Sequence, residues 1–359
     1  MNMKKILEDL IKFKTDKNIE EIHQCICYIA DILDEHQCVY EIIKNDDGKE
    51  NIVALIGRND FYRLENAILL SGHLDVVGAS DEMFVPSLKN GRVFGRGTVD
   101  MKSFIAIVLS SIVELKKINK PIVLAISSDE ETDVKGVKNI LKFFDKNEIK
   151  FEGGIVGEPT NFGIGVSNRG YLSGKFEIRG KAVHSSINRD GINVIEIMGK
   201  LWKKIFELND KYYDDGVTLN IGNIECINDV NVIADLGKFE FEIRYKNEEQ
   251  KNMILSDILD EAEKLKNDYD GSILMYNLNL EIPSFVEDKC GDFVKKNMKN
   301  NDYEIKRLAY ATEAGFYQNY GIDVVIFGVG DEKLCHTESE SVLVGDLFKY
   351  KEMLLNWLK

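Results

Sequence analysis

What most constrains this chain is a set of short apolar runs that each end in polar, ligand-type residues. Ala67–Leu70 leads into Ser71-Gly72-His73-Leu74-Asp75. Pro121–Ser127 leads into Ser128-Asp129-Glu130-Glu131, and Gly154–Val156 into Gly157-Glu158-Pro159-Thr160. Short apolar runs bounded by turn signals read as buried strands. Helical patterns over Lys102–Lys117 and Val134–Phe144 separate them. Strand alternating with helix implies an α/β fold with a mostly parallel sheet covered on both faces. Such sheets collect functional groups at the carboxyl ends of their strands. The polar strand ends are therefore expected to converge.

The remaining chain is read in order. Residues 3–14 and 17–36 have helical periodicity, and Val39–Ile43 and Asn51–Ile56 look like strands joined by the polar turn Lys44–Glu50. Residues 76–92 read as a loop. From about residue 168 the texture changes: strand Tyr171–Arg179, helix Gly191–Leu208, strands Val217–Cys226 and Lys238–Tyr245, helix Glu248–Lys266, strand Ser272–Leu280. That order is the split βαβ pattern of small ferredoxin-like α+β domains. After Pro283 come helix Gly291–Met298, strand Asp323–Phe327, loop Gly328–Ser341 and helix Asp346–Leu358. The expectation is a catalytic domain built from residues 1–168 and 283–359, with an α+β domain of residues 169–282 inserted into it.

Composition excludes some functions. A net charge of −15 argues against nucleic acid and anionic membranes as partners. No apolar run reaches the roughly 18 residues of a membrane span. Acids interrupt the N-terminal MNMKKILEDLIKFKT, so no signal peptide and a cytoplasmic location are expected. The six cysteines form no C-x-x-C pair and read as reduced thiols.

Of the five histidines, His73, His184 and His336 stand beside Gly, Ser or Thr at strand ends or in loops. His73, Asp100, Glu131, Glu158 and His336 form a candidate ligand set of two imidazoles and three carboxylates. A single catalytic metal takes three protein ligands and a water; this larger set suits two metals sharing one carboxylate. Mixed nitrogen and oxygen donors favour Zn2+, with Co2+ or Mn2+ as substitutes. Bundled acids without a cation would raise one another's pKa values. Side chains two apart on a strand share a face, so Asp75 is placed to hold the second ring nitrogen of His73.

Six motifs in order now identify a resemblance: Gly72-His73-Leu74-Asp75, Gly95–Lys102, Asp129-Glu130-Glu131, Gly157–Thr160, His184-Ser185-Ser186 and Cys335-His336. The chain resembles the dinuclear-zinc deacylase and exopeptidase family that includes acetylornithine deacetylase, succinyl-diaminopimelate desuccinylase, aminoacylase and carboxypeptidase G. The resemblance implies that His73 and Glu158 bind one metal and Glu131 and His336 the other. Asp100 bridges them ahead of a cis peptide bond to Met101, and Asp75 orients His73. It implies that Glu130 is the general base and that His184 serves the active site of a partner subunit in a homodimer, stabilising the oxyanion. Arg244 resembles the arginine that holds the substrate carboxylate, with Asn231 as a weaker substrate-binding candidate. The inserted domain would be the dimerisation or lid domain. Asp100–Ala106 and Ala311-Thr312-Glu313-Ala314-Gly315 resemble the acetylornithine deacetylase branch, with Ser103 where that branch has glycine. The implied substrate is an N-acetylated basic amino acid, N-acetylornithine of arginine biosynthesis foremost, with desuccinylase, aminoacylase and dipeptidase activities as the alternatives; Glu313 is the candidate to meet a side-chain ammonium.

Overall fold

Two amphipathic helices open the chain in the computed structural model, which describes residues 2–16, 18–299 and 303–358. They are α1 (Met3–Lys12) and α2 (Ile19–Glu35); the expected helical start at residue 17 lies outside the described residues. Each begins on an asparagine cap. Asn2 accepts from the Lys5 amide, and Asn18 from the amides of Glu20 and Glu21, satisfying donors that a helix start leaves free.

Next come β1 (Val39–Lys44), β2 (Glu50–Ile56), β3 (Ala67–His73), β4 (Ser87–Lys89), β5 (Arg92–Phe94), α3 (Lys102–Ser110), α4 (Ile112–Leu115), β6 (Ile122–Ser127), α5 (Lys135–Lys146), β7 (Phe151–Val156) and β8 (Ile164–Asn168). The helix expected over Lys102–Lys117 is thus broken at Ser111, whose hydroxyl donates to the Ile107 carbonyl. β9 (Gly170–Arg179), α6 (Val194–Tyr212), β10 (Thr218–Glu225), β11 (Leu236–Tyr245), α7 (Glu248–Asp268) and β12 (Ile273–Ile282) follow. The chain ends with α8 (Asp292–Lys299), β13 (Ile305–Leu308), α9 (Ala314–Tyr320), β14 (Val324–Ile326), β15 (Ser341–Leu343) and α10 (Val344–Trp357).

Backbone contacts divide the chain into two units, Met1–Ser167 with Val286–Leu308 and Thr312–Lys359, and Asn168–Phe285 with Ala309–Ala311. The large sheet has the order β1-β2-β6-β3-β7-β14-β8-β13. Its centre, β6-β3-β7-β14, is parallel, and every residue of β3 is buried. β3 does not stop at Leu70. Ser71, Gly72 and His73 pair with Ala125, Ile126 and Ser127 of β6. A backbone flanked by strands on both sides must pair whatever its side chains are, so hydropathy ended the strand too early. α3 comes close to the strand ends: a Cβ on Gly157 would meet the Phe104 ring at 2.1 Å.

The second unit is a four-stranded antiparallel sheet, β10-β11-β9-β12. This strand order is ferredoxin-like. Phe176, Ile178, Phe239, Phe241 and Ile243 pack its inner face against Leu201 and Ile205 of α6 and Ile254 and Ile258 of α7. The opposite face carries the charged alternates Lys175, Glu177, Lys238, Glu240, Glu242 and Arg244.

Candidate metal centre

Three parallel strands deliver the site. His73 is the last residue of β3, with Ser127 as its register partner on β6 and Val156 of β7 opposite Ser71. Glu130 and Glu131 therefore leave β6, and Glu158 leaves β7, at nearly the level of His73. Asp100 comes from the turn between β5 and α3, where Gly97 has a φ of +84°. The Asp100–Met101 peptide is cis. His336 projects from the loop after β14.

Asp100 lies between the two histidines. Its Oδ1 is 3.1 Å from His73 Nε2 and its Oδ2 is 3.3 Å from His336 Nε2. Glu158 Oε1 lies 3.5 Å from His73 Nε2, and Glu131 Oε1 lies 3.0 Å from His336 Nε2. Two trios result, His73–Asp100–Glu158 and Asp100–Glu131–His336, each with its ligand atoms within 4.8 Å of one another. All five expected ligands are thus together in the first unit, with Asp100 common to both trios.

Asp75 does more than the strand pattern shows. His73 Nδ1 lies 3.0 Å from the Asp75 carbonyl and 3.5 Å from Oδ1. A proton on Nδ1 serves those acceptors and leaves the Nε2 lone pair facing Asp100 and Glu158. The same carboxylate accepts from the amides of Glu130 (3.2 Å) and Glu131 (3.0 Å). One buried side chain therefore holds a member of the first trio and the backbone of a member of the second.

The electrostatics are those of a cation site. Among the described residues, no lysine or arginine forms an ion pair with Asp100, Glu130, Glu131 or Glu158. Burial, with the charges of neighbouring carboxylates adding to it, holds Glu158 above the usual carboxylate range; burial also holds Glu131 above it, against the hydrogen bond to His336. Glu130 is raised mainly by burial, with His73 opposing and Glu158, Glu131 and Asp100 adding to it. Burial works against a charged His73, but Glu158, Asp100 and Asp75 outweigh it and raise its pKa. Hydrogen bonds to Asp100 and Glu131 push His336 up to about 10. Asp100 is the exception: burial is outweighed by the two histidines, which hold it below the usual range. Without a cation, protons on the imidazoles and acids would have to offset this charge, which divalent ions would offset instead. Donor chemistry and geometry both fit divalent ions.

Sequence reasoning missed the group that fixes Asp100. Glu340 is fully buried; its Oε1 accepts from the amides of Val99 (2.8 Å) and Asp100 (3.2 Å), and its Oε2 from Arg96 Nη1 (2.6 Å). It ties the turn carrying Asp100 to the loop carrying His336. The buried Lys102 ammonium donates to the carbonyls of Leu10 and Phe13 at the end of α1. Ser103, a departure from the family pattern, donates its hydroxyl to the Thr98 carbonyl.

Glu313 departs from the expectation. It is buried at 1% exposure, beside Ser71 and Tyr317, and presents no surface to a substrate ammonium. His184, Asn231 and Arg244 lie in the second unit. His184 is exposed; its Nδ1 accepts from the Ser186 amide at 3.2 Å, capping the following 3-10 turn. Ser185 donates its amide to the Asn231 carbonyl at 2.9 Å. Arg244 stacks over the Tyr171 ring at 4.3 Å, with Glu242 at 3.6 Å.

Residues 69–359 match the profile of peptidase family M20/M25/M40. The chain belongs to this family. The match takes in all five ligand candidates and the whole second unit, so the protein is an M20 family hydrolase. Two curated relatives carry different names. An acetylornithine deacetylase of Buchnera aphidicola from Schizaphis graminum is 28% identical, covering 94% of this chain and 92% of its own. A probable succinyl-diaminopimelate desuccinylase of Staphylococcus aureus is 27% identical, covering 99% and 97%. A Staphylococcus aureus tripeptidase shares the fold with a TM-score of 0.80 over 99% of this chain and 97% of its own, at 19% identity. No described helix is long and apolar enough to cross a membrane.

Proposed function

We propose that this M20 protein is a dinuclear-metal amidohydrolase that releases the acyl group of a small N-acylated amino acid, N-acetylornithine foremost. The observation that carries the reading is Asp100, whose two oxygens face two separate histidine-containing trios. His73, Glu158 and Asp100 would hold one ion; His336, Glu131 and Asp100 would hold the other. Mixed imidazole and carboxylate donors suit Zn2+, with Co2+ or Mn2+ able to substitute. When bound, the ions supply Lewis acidity and lower the pKa of a water. Glu130, held by its amide to Asp75, takes the proton of the attacking water and passes it to the amine nitrogen as the C–N bond breaks. A carboxyl in buried, anion-rich surroundings suits that exchange, because its proton affinity is raised.

The substrate rests on the resemblance of Ala311–Gly315 and Asp100–Ala106 to the acetylornithine deacetylase branch. Identities of 28% and 27% do not separate deacetylase from desuccinylase; an aminoacylase or a dipeptidase would use the same centre. A panel of N-acetyl, N-succinyl and dipeptide substrates on the zinc- or cobalt-loaded protein assigns it. No hydrolysis of any member, with metal content near zero after supplementation, sinks the reading.

For the second unit we propose oxyanion stabilisation by His184 and recognition of the substrate carboxylate by Arg244 and Asn231. We also propose a homodimer through this unit. Its two edge strands expose apolar side chains, Ile224 on β10 and Ile273, Met275, Tyr276 and Leu278 on β12, and exposed apolar edges are templates for pairing. Sedimentation at twice the chain mass is expected; a monomer at micromolar concentration would refute the dimer. Six free thiols support a reducing, cytoplasmic setting.

A further inference from the structure

The reaction leaves one acid beside the centre without a task. Glu313 precedes α9, and its Oε2 lies 3.5 Å from Ser71 Oγ, which in turn is 2.8 Å from the Tyr317 hydroxyl. Ser127 is near enough to act on the same carboxyl. Yet Ser127 Oγ and Glu313 Oε1 are both buried without a partner in good hydrogen-bond geometry. The two serines sit on neighbouring strands. Ser71 is two residues before His73 on β3, and Ser127 is the register partner of His73 on β6, three residues before Glu130. A single carboxyl therefore faces the tails of both strands that release the centre.

The surroundings decide its protonation state. Among the described residues, no lysine or arginine pairs with Glu313; burial, Asp129 and Asp75 favour the neutral acid, while a hydrogen bond from Ser127 and the charge of His73 oppose them. A buried carboxylate with no cation partner is strongly disfavoured against its neutral form. An ionised carboxylate can only accept, whereas the neutral acid has one hydroxyl to donate. Ser127 Oγ and Glu313 Oε1 can pair in either state, by the serine hydroxyl donating; it is burial without a cation partner that decides for the neutral acid. Burial pushes Glu313 up to about 8, in the same direction.

We propose that Glu313 is a positioning residue acting as a neutral acid: by bonding Ser71 and Ser127 it holds the ends of β3 and β6 together, and so fixes His73 against the Glu130–Glu131 loop. It contacts neither substrate nor metal. The inference rests on the dinuclear reading of the centre, and the test separates the two. Wild-type protein that takes up no Co2+ sinks the reading, while thermal stability of the variants still judges the inference.

The experiment compares wild type, Glu313→Gln and Glu313→Ala by Co2+ titration with its visible spectrum, steady-state kinetics and thermal melting at pH 7. Gln keeps the shape and one donor. It is expected to match wild type in spectrum, to stay within about 3-fold in Co2+ affinity and kcat, and to melt no lower. Ala is expected to melt lower, to weaken Co2+ binding and lower kcat by about 10- to 100-fold, and to leave KM within about 3-fold. If Gln is impaired as badly as Ala, the ionised carboxylate is required and the proposal fails. A rise in KM with kcat unchanged in Ala would make Glu313 a substrate contact instead. Should Ala not fold, Ser71→Ala replaces it; a changed cobalt spectrum with weaker binding supports the proposal, and an unchanged one overturns it.

Discussion

At the scale of single residues, this centre depends on acceptors that reach backbone. Asp75 was legible as a partner for His73, because a spacing of two on a strand fixes a shared face. Its grip on the amides of Glu130 and Glu131 was not, because nothing local links positions that far apart in sequence. The grip makes a prediction. Asp75→Asn keeps one acceptor but turns an amide donor towards a backbone N–H, so metal affinity is expected to fall about 10- to 100-fold. Calorimetric zinc titration measures this; unchanged affinity at both sites would refute the role of Asp75 as the link. Glu130→Gln should behave differently. It keeps both trios intact, so metal content stays at the wild-type level while kcat falls by about 100-fold or more. If most activity survived, another group would be the base. Glu340 escaped sequence reading for a similar reason: in Cys335–Glu340 it looks like one more acid in a polar loop, and only the fold brings it under Asp100.

At the scale of elements, long periodic segments were readable and short ones were not. The strand ends carrying His73, Glu130 and Glu158 stood out because apolar runs stop abruptly at polar residues. β4, β5 and β15 are three residues each, too short to establish any period, and they form the small sheet from which the Asp100 turn departs. The loop between β6 and α5 gets its rigidity from buried polar bonds. Asp129 accepts from the amides of Lys135 and Gly136, both at 2.8 Å, and from Asn45 Nδ2 at 3.0 Å. Asn51 accepts from the Ser128 amide at 3.1 Å. Asp129 thus satisfies two of the free donors at the start of α5 while anchoring the loop that holds Glu130. Asp129→Ala is expected to cost about 1–3 kcal/mol, a lost cap plus stranded buried donors. It should also lower kcat, since the loop it anchors carries Glu130. Denaturant melts measure the first effect; a loss below about 0.5 kcal/mol would show that the loop holds without it.

At the scale of the whole molecule, proton uptake links the centre to stability. In the metal-free chain Glu313 titrates at about 8, against about 4.3 for an unfolded glutamate. Between those values the folded chain keeps a proton that the unfolded chain has lost. Stability from this group is therefore complete below about pH 4, declines as pH rises, and is gone once pH has passed through about 8. Glu313→Gln carries no such proton. Measured on chelator-treated protein, the stability of the variant minus that of wild type should widen steadily from about pH 5 to pH 8 and then level off, by an amount of order 4 kcal/mol. Taking the difference matters, because Asp129, His73, Glu158 and Tyr317, which surround or feel this carboxyl, are present in both proteins. A difference that stays flat from pH 5 to pH 9 in the metal-free proteins would mean that Glu313 ionises as readily in the fold as in water.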